Sequence, residues 1–107
     1  MKITVVRGGG IAGLVTTTTA DSAALAPAEA EALRARVEGA RLWDLPARLS
    51  GPASHPDAFD YQIIVEDGGR TKTLSVAEDA VSPSLRSLVE WLGSVPGHEE
   101  TVAPPGF

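Results

Sequence analysis

The chain has 107 residues, 43% of them hydrophobic, and a formal net charge of −5 at pH 7. This suits one domain with one core and sets the molecule against nucleic acid and anionic membrane, which repel it at long range. It contains no cysteine, so disulfides, thiolate nucleophiles and thiolate metal sites are excluded together, and stability has to come from packing.

The opening MKITVV turns polar and glycine-rich at Arg7, without the apolar core and cleavage site of a secretory signal. No apolar run approaches the roughly 20 residues that span a bilayer. The expectation is a cytoplasmic protein without membrane or nucleic-acid partners.

Ile3 and Val5 alternate with Thr4 in a first strand that Gly8-Gly9-Gly10 ends. Leu14 to Thr19 is rich in β-branched residues, which disfavour helix, and reads as the second strand of an antiparallel hairpin. A helix is expected from Pro27 to Glu38: proline suits its first turn, Glu29 and Glu31 its start, and Arg34 and Arg36 its end. Ala30, Leu33 and Val37 form its apolar stripe. Leu42-Trp43-Asp44-Leu45 makes a short apolar turn, and the proline-rich run PARLSGPASHPD from Pro46 to Asp57 reads as a long loop.

Phe59, Tyr61, Ile63 and Val65 alternate with polar neighbours, and after Asp67-Gly68-Gly69-Arg70 the chain returns through Leu74 and Val76. This is a second hairpin whose register is open by two residues. Ser82-Pro83 starts a second helix, with Leu85, Leu88, Val89 and Leu92 on one face and an end near Gly93. The fold class is therefore α+β: a single small domain of about four mostly antiparallel strands, in two hairpins, packed with two helices over residues 1–93. Residues 94–107 are proline-rich, acidic and aperiodic, and read as a flexible tail. Leu33, Val37, Leu45, Tyr61, Ile63, Val65, Leu74, Val76, Leu85, Leu88 and Leu92 are the expected core.

The run Gly8-Gly9-Gly10-Ile11-Ala12-Gly13 matches the GxGxxG pattern of dinucleotide-binding folds. That chemistry needs a helix to begin at the third glycine so that its free amides meet a pyrophosphate. LVTTTT is unsuited to such a helix, and a flavin- or nucleotide-binding protein is kept only as an alternative. As a flexible loop with one apolar side chain, the same run suits a pocket on another protein, because small residues allow close backbone approach. His55 and His98 are far apart, Ser50 and Ser54 lack the frame of a catalytic nucleophile, and the acidic pairs are sequence neighbours, so no catalytic residue, metal site or cofactor is expected.

The succession MKITVVRGGGIAG, a helix leading to LWDLPARL, then DYQIIVEDGGRTKTLSV and SPSLRSLVEWL resembles the emfourin family, small protein inhibitors of thermolysin-like zinc metallopeptidases such as protealysin. The likeness runs from Met1 to about Gly93. It implies an inhibitor, not an enzyme, that occludes its partner's active-site cleft, the zinc being the partner's. Thermolysin-like peptidases resemble one another in favouring a bulky apolar side chain just beyond the scissile bond.

Two loops offer one. In the first, Ile11 stands among Gly8, Gly9, Gly10, Ala12 and Gly13, next to Arg7. In the second, Leu49 and His55 lie on a segment stiffened by Pro46, Pro52 and Pro56, which lowers the ordering cost of binding. These nine residues, Arg7 to Gly13 with Leu49 and His55, are the expected contacts of a chain that is monomeric when free. Another protein-binding module of the same fold is the remaining alternative.

Overall fold

Alternation of Ile3 and Val5 with exposed or half-buried neighbours builds β1, Lys2–Gly9, the central strand of the molecule. The structure is a computed structural model and describes residues 1–9, 14–49 and 59–103. β1 is flanked on one side by β2, Val15–Asp21, and on the other by β4, Phe59–Asp67, both antiparallel to it. β5, Arg70–Ala77, continues the sheet beside β4, while β3, Arg48–Leu49, and β6, Glu99–Ala103, form its edges. The order is β3-β5-β4-β1-β2-β6, and only the pairing of β3 with β5 is parallel.

The sheet thus has six strands among the described residues, where the sequence leads one to expect about four. The added strands have little periodicity to read. β3 is two residues long, with Arg48 opposite Ser75 and Leu49 opposite Val76. β6 falls in the segment expected to be an aperiodic tail, and all five of its side chains are exposed, so no buried alternation marks it.

The β4–β5 hairpin closes with Asp67 opposite Arg70. Gly68 and Gly69 take φ of 58° and 84°, the positive values that a two-residue type I′ turn requires and that side-chain-bearing residues resist. That turn fixes the register left open by the alternation alone.

Two helices cover one face of the sheet. α1, Pro27–Gly39, begins with proline in its first turn and buries Leu33 and Val37. α2, Pro83–Leu92, is capped by Ser82, whose Oγ accepts the Leu85 N–H at 3.2 Å, and it buries Leu85, Leu88 and Leu92. These five side chains meet Ile3, Val5, Ile63, Val65, Leu74 and Val76 in one core, each contributing roughly 1.5–3 kcal/mol by leaving water. Leu45 and Tyr61, expected within it, are half-buried and pack against its margin. Leu42, Leu25 and Val95 are buried although no stripe in the sequence identified them.

Lys72 shares the helix-side face of the sheet with Val65. Its ammonium reaches the short 3-10 helix Leu42–Asp44 and donates to the Trp43 carbonyl at 2.9 Å and to the Leu45 carbonyl. The Arg70 guanidinium stacks over the Trp43 ring at 3.8 Å from its centroid. Two cations from β5 therefore hold the segment that leads into β3.

Candidate functional site

β1, β3, β5 and β6 all point the same way, while β2 and β4 run against them. It follows that Gly9, Val15, Leu49, Phe59, Ala77 and Ala103 lie at one end of the sheet. Arg7, Gly8 and Gly9 belong to the last turn of pleat on β1, with Gly9 opposite Phe59. Gly9 has a φ of 92°, which favours glycine at the point where β1 stops. Gly10, Ile11, Ala12, Gly13 and His55 lie outside the described residues.

The structure brings Leu49 and Arg7 onto one row. Leu49 is opposite Val76, Val76 opposite Tyr61, Tyr61 opposite Arg7, Arg7 opposite Thr16, and Thr16 opposite Val102. Partners in register share a face, so these side chains stand on the helix side of the sheet. Arg7 is exposed, whereas Leu49 is half-buried and packs against the core, so it is a wall of the site more than a free probe.

α2 does not fully cover this last row. Between them is a cleft of about 380 Å³ whose floor is Val5 and Thr18, whose sides include Tyr61 and Val89, and whose rim carries Arg7, Arg86, Glu90 and Glu100. Thr18 Oγ1 donates to Glu100 Oε1 at 3.3 Å across the rim. On the opposite face, an open groove of about 480 Å³ runs past Val6, Gly8, Arg48, Asp60 and Gln62. The strand ends are therefore flanked by a hollow on each side. Leu14 and Val102, 46% and 58% exposed, add apolar area at the same end.

Sequence reasoning missed the contribution of Leu14, Val102 and Tyr61. Leu14 adjoins the glycine run and has a readable signal, an apolar side chain beside a loop. Val102 has none, because its strand buries nothing.

The residues that follow the glycine run form a strand antiparallel to β1. A dinucleotide motif would require a helix there, followed by a parallel strand. Among the described residues, no three His, Asp or Glu side chains gather as a metal site would require, and no helix is long and apolar enough to cross a membrane.

Compared with known proteins, residues 5–93 match the model of the Emfourin family. No curated protein and no solved structure gives a significant match.

Proposed function

The chain belongs to the Emfourin family, and we propose that it inhibits a thermolysin-like zinc metallopeptidase of the protealysin type by seating the glycine-loop end of its sheet in the enzyme's active-site cleft. The match over residues 5–93 is the observation that carries this reading. The geometry supports it in a second way: the described residues flanking both expected contact loops, Gly9 and Leu14 for one and Leu49 and Phe59 for the other, stand at a single end.

In this reading the apolar contact comes from Ile11, with Gly8, Gly9, Gly10, Ala12 and Gly13 allowing backbone to approach the cleft walls. Arg7 supplies charge beside it, and Leu49 and His55 form the second line of contact. The zinc and the catalytic groups are the partner's. The inhibitor acts as a monomer in the cytoplasm, and it lowers activity by filling the cleft.

The reading is tested by assaying several thermolysin-like zinc peptidases, with a serine peptidase as control, against increasing amounts of the chain. Loss of activity confined to the zinc enzymes is expected. Full activity of all of them at large excess would favour a different protein-binding role on the same fold.

A further inference from the structure

β2 reads VTTTTAD, with β-branched residues at five successive positions and neither proline nor charge until Asp21. One edge of it pairs with β1 over six residues. Its other edge, uncovered, would be a long regular template of unpaired amides and carbonyls, the kind of edge that takes up any extended chain. β6 covers it, with Val15 opposite Ala103, Thr16 opposite Val102, Thr17 opposite Thr101, Thr18 opposite Glu100 and Thr19 opposite Glu99.

What holds β6 there is almost entirely backbone. All five of its side chains are exposed, Val102 among them, and its one side-chain hydrogen bond to β2 among the described residues is the 3.3 Å contact of Thr18 with Glu100. The core ends before it: Val95, 2% exposed, is the last buried residue among the described ones. Three residues then lead to the strand through Gly97 at a φ of 93°, where an added Cβ would stand 3.1 Å from Leu25 Cδ2. The turn is therefore specified while the strand beyond it is not. The family match also stops at residue 93, short of β6.

We infer that the outer edge of β2 is a strand-addition site for an extended peptide segment of a partner protein, and that β6 is its resident, exchangeable occupant. The resident strand displays the chemistry preferred there. Acidic residues lie opposite Thr18 and Thr19, where a hydroxyl can donate to a carboxylate, and an aliphatic residue lies opposite Thr16. Main-chain pairing supplies affinity and the alternate side chains supply selectivity, as in other strand-addition modes. The short tether raises the local concentration of β6 to the millimolar range, so a competing strand has to pair better or meet the edge when β6 has lifted. This inference does not depend on which enzyme the loop end meets.

Two measurements on the full chain test it. Amide hydrogen exchange of the wild type is expected to show residues 99–103 exchanging by local opening, much faster than the amides of β4. Equal protection of the two strands would overturn the proposal. In the second, Thr101→Pro removes the pairing capacity of β6, and a fluorescent peptide of sequence GHEETVA is titrated into both proteins. The variant is expected to bind the peptide at least about tenfold more tightly than wild type, because the tethered competitor is gone, and a peptide with proline in place of its threonine is expected not to bind. Equal affinity for both chains, binding of the proline peptide, or dimerisation of the variant in place of peptide binding would overturn it, the last by giving the edge to a second copy.

Discussion

Leu49 and Arg7 occupy one row of the sheet although Leu49 is on the short edge strand and Arg7 on the central one, linked through Val76 and Tyr61. At ordinary strand spacing this separates them by roughly 15 Å. In the proposed mode of binding, that span sets the two loop bases on either side of the partner's cleft. Because Leu49 is half-buried against the core, Leu49→Glu is expected to cost about 1–3 kcal/mol of stability through burial of a poorly paired carboxylate. Chemical denaturation of the variant checks this, and a stability equal to wild type would mean that the packing of Leu49 against the core carries no structural duty.

Ile11 is expected to be the apolar contact that the partner's cleft desolvates. Ile11→Glu should weaken inhibition at least about tenfold, equivalent to about 1.4 kcal/mol, with the thermal midpoint unchanged. Inhibition constants and melting curves of the same preparations check both halves. A folded variant that inhibits at full strength would place the contact surface away from the glycine run.

Leu88 lies fully buried on α2 in the middle of the core. Leu88→Ala is expected to cost about 2–5 kcal/mol, the transfer term plus the cavity left behind. Urea unfolding followed by far-ultraviolet circular dichroism measures it, and a loss below that range would indicate that the α2 face repacks around the gap.

Lys72 donates to the Trp43 and Leu45 carbonyls, so Lys72→Met keeps much of its hydrocarbon stem and removes the donors. A loss of about 1–2 kcal/mol is expected, since two carbonyls at least partly shielded from water lose a charged partner. The stacking of Arg70 on Trp43 should loosen with it, which a change in tryptophan emission would report. Unaltered emission and stability would assign the hold on this turn to the Arg70 stack and Leu42 burial, without a contribution from Lys72.

Both hairpins and both helices are readable in the sequence because their side chains alternate or recur with the period of the element they build. Ile63 and Val65 against Leu74 and Val76 mark one sheet face, and Leu85, Leu88 and Leu92 mark one helix stripe. β3 is not readable, since two residues have no period and their partner strand comes more than twenty residues later. β6 is hidden for a different reason: main-chain pairing holds it, and composition carries no trace of that. At the candidate site, Arg7 and Leu49 stand out individually beside breaker-rich runs. Their shared row does not, because it depends on the registers of four strands from distant parts of the chain. Tyr61 looks like core from its alternation, yet lines the cleft because α2 leaves the last row partly open.

The most direct measurement is the hydrolysis of a peptide substrate by a thermolysin-like zinc peptidase as the wild-type chain is titrated in, repeated at several substrate concentrations. Occlusion of the cleft predicts inhibition that rising substrate relieves, with the chain recovered uncut at the end. Undiminished hydrolysis at large excess of the chain, or its cleavage as an ordinary substrate, would contradict the account.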